Sequence, residues 1–320
     1  MFALTKADSM HAIASESLSK VYQSSLSKRN GITALEDFSI TIQQGEIFGL
    51  LGPNGAGKTT FIKILLSLVH PTSGSASILG TPLPDVNIKR RIGYLPENHR
   101  FPGYLTGDQV LDFFGRLAGV PRREIRSRSK PLLDLVGMGQ WSSTKVRKYS
   151  KGMMQRLGLA QALVNDPDVI FLDEPTDGVD PVGRKEIRDI LTDLKRRGKT
   201  IFLNSHLLSE VELISDRVAI LDKGKLLKIG TVDELTSQES EYTIGITGTL
   251  PEGFHLEADA LLLKLKAHDG SLIADLKTTA AINQLIDLLR KHGVEITSIT
   301  QKRNSLEDSF ISLLKGEKSQ

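Results

Sequence analysis

Apolar and polar positions change period several times along the chain, and the changes mark its organisation. Residues 12–21 and 32–42 alternate apolar with polar, the period of half-buried antiparallel strands, and the polar stretch 24–31 reads as the turn between them. From Gly45 the pattern becomes a solid apolar run at 47–51, a glycine-rich stretch, then an amphipathic run over 61–69: buried parallel strand, loop and helix. A turn at 71–74, a short strand at 75–79, a loop at 81–85 and a strand at 92–95 follow. Helical periodicity occupies 106–136 and breaks at Gly119-Val120-Pro121, where Pro121 suits a helix start. With a helix capped by Ser150 and running to about Val164, this reads as an inserted helical subdomain over about 98–165. An apolar strand at 169–172, a helix at 182–197, a strand at 200–203, a helix beyond His206 and a hairpin of 217–221 with 225–229 continue the alternation. Residues 237–241 break it. Beyond lie strands at 242–246, 261–266, 271–275 and 294–300, with helices at 278–292 and 305–314. The expected division is a loose tail at 1–10, a large α/β unit at 11–236 and a small accessory α+β unit at 237–320.

Composition adds little and excludes several things. The 320 residues, 39% of them hydrophobic, suffice for two cores, and a formal charge of +3 over this length gives no electrostatic case for nucleic acid. The absence of cysteine excludes a disulfide framework and thiolate metal sites and suits a reducing compartment. No stretch approaches the roughly 18 apolar residues of a membrane span, and residues 1–16 lack the apolar core of a signal peptide. The basic run at 122–130 reads as a solvated helix face or a partner contact.

The chemistry begins at Gly52-Pro53-Asn54-Gly55-Ala56-Gly57-Lys58-Thr59-Thr60, which fits G-x-x-x-x-G-K-[ST] in the strand-loop-helix context that gives the pattern meaning. The glycines let successive N–H groups turn inward, and the helix starting near Lys58 adds its positive end, so the stretch is a phosphate cradle of a P-loop fold. Lys58 is placed to reach the β- and γ-phosphates, and the Thr59 hydroxyl to ligate Mg²⁺. Such a cradle serves a kinase, a GTPase or a motor equally well. Two adjacent carboxylates, Asp173 and Glu174, emerge at the C-terminal end of the 169–172 strand, the edge where open α/β sheets bind ligands. Tyr22 reads either as a nucleobase-stacking ring or as a partly buried strand-end residue.

In order, the glycine loop, Glu97 after the 92–95 strand, Ser150-Lys151-Gly152 at a helix start, Asp173-Glu174, Asp180 and His206 closely resemble the ATP-binding subunit of ABC transporters, from about Ile13 to Gly230. The resemblance implies a P-loop NTPase core of mixed sheet with antiparallel strands, an inserted helical subdomain and a small C-terminal α+β domain. It implies that Gly52 to Thr60 bind ATP, that Asp173 with Thr59 holds the Mg²⁺ shell, and that Glu174 deprotonates the attacking water, since in-line attack on the γ-phosphoryl needs a base one water away. Glu97 stands where the family usually has Gln and supplies an oxygen to Mg²⁺. His206 matches the residue that contacts the γ-phosphate, Asp180 the loop between subunits, and Tyr22 the adenine-stacking aromatic. Tyr149-Ser150-Lys151-Gly152-Met153 occupies the position of Leu-Ser-Gly-Gly-Gln, departing at Tyr149, Lys151 and Met153. In the family Ser150 and Gly152 close on the nucleotide of a second subunit. Finer features, Gly152 to Arg156, Tyr94 to Glu97 and the ending at Leu306 to Phe310, resemble exporters with separate permease subunits. The implied partners are integral membrane permease subunits and a second ATPase subunit, at the cytoplasmic face of the membrane, with no nucleic acid. The alternative within the resemblance, an ATPase acting on ribosomes or nucleic acid, usually brings two cassettes in one chain or a long coiled-coil insert.

Overall fold

The computed structural model describes residues 11–24, 27–236, 238–247, 250–251, 264–268, 270–276 and 278–316, with Phe254 and Ala258. Contacts divide the chain between Val232 and Asp233. In the first unit, β1 (His11–Ser24) and β2 (Ser27–Gln43) form a long antiparallel pair, joined by β4 (Ser73–Ile78) and β5 (Thr81–Pro82) in the order β2-β1-β4-β5. A second sheet has the order β10-β9-β3-β8-β7-β6, from β3 (Ile47–Leu51), β6 (Ile92–Leu95), β7 (Val169–Asp173), β8 (Thr200–Asn204), β9 (Arg217–Asp222) and β10 (Lys225–Thr231). Its pairings are parallel except that of β10 with β9. β3, β7 and β8 are buried at every position, which is why they read as solid apolar runs.

Helix α1 (Lys58–Leu65) connects the two sheets through its apolar face. Phe61 packs edge-on against Phe38 of the first sheet, centroids 4.8 Å apart, and against Phe202 of the second at 5.9 Å. Helices α2 (Gly107–Leu117), α3 (Arg122–Leu135) and α4 (Lys151–Ala162) pack on one another. A capping box starts α2: Thr106 Oγ1 accepts from the Gln109 N–H at 3.3 Å and Gln109 Oε1 from the Thr106 N–H at 3.0 Å. Gly119, at φ 78°, and Pro121 separate α2 from α3 where the periodicity broke. Two further helices, α5 (Pro181–Arg196) and α6 (Leu208–Ile214), flank β8 in sequence.

Helix α7 (Val232–Leu235) spans the division: Val232 belongs to the first unit, where its N–H donates to the Asp216 carbonyl, and Asp233 begins the second. Its sheet is antiparallel in the order β12-β13-β11-β14, from β11 (Gln238–Thr247), β12 (Lys264–His268), β13 (Ser271–Asp275) and β14 (Glu295–Arg303). Leu285, Leu288 and Leu289 of α8 (Thr279–Lys291) enter a separate core with Ile244, Leu272 and Ala274. Helix α9 (Leu306–Gly316) follows, and its Ser309 hydroxyl donates to the Leu235 carbonyl.

Three expectations need correction. The expected turn over 24–31 is too long: β1 continues to Ser24 and β2 starts at Ser27, with Ser24 opposite Ser27 and Tyr22 opposite Ile32, while residues 25–26 lie outside the described residues. A hairpin ladder is made by backbone groups, so polar side chains do not interrupt it. Within the expected loop 81–85, Thr81–Pro82 pairs with β4, Pro82 at the sheet's edge where a missing N–H is tolerated. The contact boundary falls a few residues before 237, because Leu235 is buried and bonded within the second unit. The tail at 1–10 and the first residues of the expected strand 261–266 lie outside the described residues.

Candidate active site

The chain leaves β3 at the C-terminal edge of the parallel sheet and must turn tightly into α1. Gly57 makes the turn at φ 110°, and a Cβ there would lie 2.2 Å from the Ala34 carbonyl oxygen, so only glycine fits. Helix α1 then starts with no side-chain cap and no acidic residue in its first turn, which leaves its N–H groups and positive end open to an anion. The Lys58 side chain folds back over the loop, where Nζ donates to the carbonyls of Gly52 at 2.6 Å and Pro53 at 3.2 Å. Burial draws its pKa below the ordinary lysine value, against the opposing charges of Glu174, Asp173 and Glu97.

β7 and β8 deliver the acidic side. Their register sets Asp173 beside Asn204, whose Nδ2 donates to Asp173 Oδ1. Burial pushes the Asp173 carboxyl above its ordinary range; the Asn204 bond opposes this, and the Glu97 and Glu174 charges add to it. Glu174 adopts φ 54°, the left-handed region that a residue with a side chain occupies only when its surroundings hold it there. They do: its N–H donates to Asn204 O at 2.8 Å, and its carbonyl accepts from Gln155 Nε2 at 2.8 Å. Its carboxylate accepts from Ser205 Oγ at 3.1 Å and the His206 N–H at 2.8 Å, and His206 Nδ1 lies 2.9 Å from Oε2. Glu174 is buried while the imidazole of His206 stays exposed.

These groups line one cavity of about 470 Å³: Asn54 to Thr60 on one side, Glu97, Asp173, Glu174, Asn204 and His206 on the other, with a wall of Ile32, Thr33 and Ala34. Gly52 and Pro53 support it through Lys58. Tyr22 is not part of the lining; its exposed ring carries the Lys20 ammonium 5.1 Å from the centroid, and the wall on that hairpin comes from β2. Ser150, Gly152 and Asp180 also stand outside it. Ser150 Oγ accepts from the Met153 N–H at 3.2 Å and caps α4; Asp180 Oδ1 accepts from the Gly183 N–H at 2.8 Å and caps α5. Lys151 Nζ donates to Asp177 Oδ2 at 2.7 Å, which holds that carboxyl below its ordinary range.

Sequence reasoning missed the residues that hold the carboxylates. Asn204 had a readable signal, a polar residue closing a solid apolar strand; Ser205 and Gln155 are informative only once the fold brings them to Glu174.

The donor set fits a nucleoside triphosphate with Mg²⁺. An uncapped helix start and a buried ammonium suit phosphate, and Asn204 Oδ1 is buried without a hydrogen-bond partner among the described residues. Thr59, Asp173 and Glu97 offer only hard oxygen atoms, and no group of three acidic or imidazole side chains forms a metal cage among the described residues. Mg²⁺ characteristically takes one or two protein oxygens and completes its shell with phosphate and water. Bound there, it would offset the negative charge of the phosphates.

Comparison with known proteins bears this out. Residues 35–177 match the family described as ABC transporter. The uncharacterized ABC transporter ATP-binding protein sll0415 of Synechocystis is 42% identical over 300 residues, 93% of this chain and 83% of that protein. The Nod factor export ATP-binding protein I of Burkholderia lata is 41% identical over 203 residues, 63% of this chain and 67% of that protein. The post-hydrolysis dimer of the ATP-binding cassette MJ0796, bound to ADP and phosphate, superposes with a TM-score of 0.62 and 25% identity, covering 69% of this chain and 98% of that one. Fold and site thus define a P-loop ATPase. The chain belongs to the ATP-binding subunits of ABC transporters. It is an ATPase that binds ATP with Mg²⁺ and powers separate membrane permease subunits. No helix among the described residues is long and apolar enough to cross a membrane.

Proposed function

We propose that this subunit drives export from the cytoplasmic face of a membrane, and that two copies complete its catalytic sites head to tail. One observation carries the second part: Lys58, Glu97, Asp173, Glu174 and His206 share a cavity, while Ser150 and Gly152 stand outside it. On this reading the glycine loop from Gly52 to Thr60 and Lys58 hold the phosphates. Thr59, Asp173 and Glu97 hold Mg²⁺, directly or through water. Glu174, fixed by Ser205 and the His206 N–H, takes the proton of the attacking water, and His206 senses the γ-phosphate. Ser150 and Gly152, at the start of α4, present its N–H groups to the nucleotide of the other copy, with Lys151 adding a positive charge, and the α5 start at Asp180 lies in the loop between copies. The dimeric cassette MJ0796 supports the pairing of two copies, and the Nod factor export relative supports the direction.

Glu174→Gln tests the assignment. The variant keeps ATP binding, loses turnover by about 100-fold or more, and accumulates as an ATP-bound dimer in size-exclusion chromatography. Undiminished hydrolysis removes Glu174 from its role. Purification from membranes in mild detergent recovers an integral membrane protein with the chain; recovery of none contradicts the transport reading.

A further inference from the structure

We propose that His99 is a positioning residue for ATP turnover, a bracket that fixes the Glu97 loop against helix α4 and so ties together the two halves of the composite site. The inference rests on the roles given above to Glu97 and Ser150. His99 lies two residues past Glu97, and its ring bridges two backbones. Nδ1 is 3.1 Å from the Pro96 carbonyl oxygen and Nε2 is 3.0 Å from that of Met154; a carbonyl only accepts, so one tautomer of the neutral ring donates to Met154 and the other to Pro96, and both bonds form together only with a hydrogen on each nitrogen. Met154 belongs to the first turn of α4, and its N–H donates to the Ser150 carbonyl at 2.9 Å. One imidazole therefore spans from the residue before Glu97 to the turn that begins at Ser150.

The seat is shaped for that ring. A Cβ on Gly158 would lie 2.8 Å from His99 Nε2 and 2.6 Å from Leu95 Cδ1, so a side chain there would push both aside, and glycine lets the loop approach α4 this closely. On its other side the ring packs against Phe101, centroids 5.5 Å apart, and Phe101 against Phe114 of α2 at 5.4 Å. Glu97 faces the nucleotide of its own chain, and Ser150 that of the other copy. A bracket between them makes the position of one loop depend on the position of the other, so the two can reach reacting geometry together.

The test compares His99→Phe and His99→Gln with Glu97→Ala and Ser150→Ala in the full chain with MgATP. It reads kcat, KM, equilibrium binding of a fluorescent ATP analogue and thermal melting. Phenylalanine keeps an aromatic ring beside Phe101 but loses both polar contacts. It is expected to lower kcat about tenfold with ATP binding within about twofold of wild type and melting unchanged. The amide nitrogen of glutamine reaches the place of Nε2, restores the contact with Met154, and should recover most of the rate. A Phe variant whose kcat stays within about twofold of wild type, a rate loss that only follows lost ATP binding or lost melting temperature, or a Gln variant no better than Phe overturns the bracket when Glu97→Ala and Ser150→Ala are impaired. If those two variants turn over normally, the reading of the composite site fails, and the bracket with it.

Discussion

Asp173 and Asn204 form the smallest unit on which turnover depends. Burial and the neighbouring Glu97 and Glu174 charges work against an ionised Asp173, and the Asn204 amide partly offsets them. Asn204→Ala removes that donor, and we expect the Mg²⁺ concentration for half-maximal turnover to rise about tenfold, while Lys58 and the glycine loop, which Asn204 does not touch, still bind nucleotide. The same environment sets a pH dependence. A carboxyl whose pKa is raised by folding takes up a proton more readily in the folded chain, so its contribution to stability is present below the ordinary value of 3.8 and is lost as pH rises through the raised value. Without metal or nucleotide, Asp173→Asn therefore melts higher than wild type at neutral pH, and the difference closes as the solution is acidified; equal melting at both pH values contradicts the assignment. The carboxylates and the lysine were legible in the sequence because each sits at a strand or loop end with a recognisable neighbour. Ser205 and Gln155 were not, because their partner is an atom of Glu174 brought to them only by the fold.

Helix starts organise the next scale up. Asp180 and Ser150 both act as N-caps in the single chain, so their removal has a structural cost apart from any effect on nucleotide. Asp180→Ala should cost about 1 kcal/mol, read as a fall of about 2–4 °C in the melting of the first unit; a fall of this size with full turnover would confine Asp180 to capping. Periodicity located most elements, including the break between α2 and α3, because Gly119 and Pro121 act locally. It placed the end of the β1–β2 ribbon too early, because a ladder is made by backbone groups and the polar sequence at Ser24 and from Ser27 to Gly31 reads like that of any turn. The short β5 was hidden for the same reason, its two residues taking their conformation from β4 rather than from their own sequence.

For the whole molecule, the separation of Ser150 from the Lys58 cavity predicts complementation between dead chains. Lys58→Ala and Ser150→Ala should each be inactive alone. An equal mixture should regain activity, because a mixed dimer holds one site with both an intact Lys58 and an intact Ser150. With random pairing, about a quarter of the wild-type sites are restored. No recovery, with dimers shown to exchange, would mean that both residues serve the same nucleotide. The division into two units was visible as a change of pattern near 237, but the short α7 helix carried no signal of which core it joins.

The strand order of the parallel sheet also bears on how the protein is made. β3, which precedes the glycine loop, pairs with β8 on one side and β9 on the other, both encoded far downstream. A growing chain that has emerged from the ribosome only through α5 holds every residue of the glycine loop and both carboxylates, yet its central strand has no neighbour on either edge. Nucleotide binding by the nascent chain should therefore switch on late, once residues 200–222 are free, because until then residues 47–51 lack both strand neighbours.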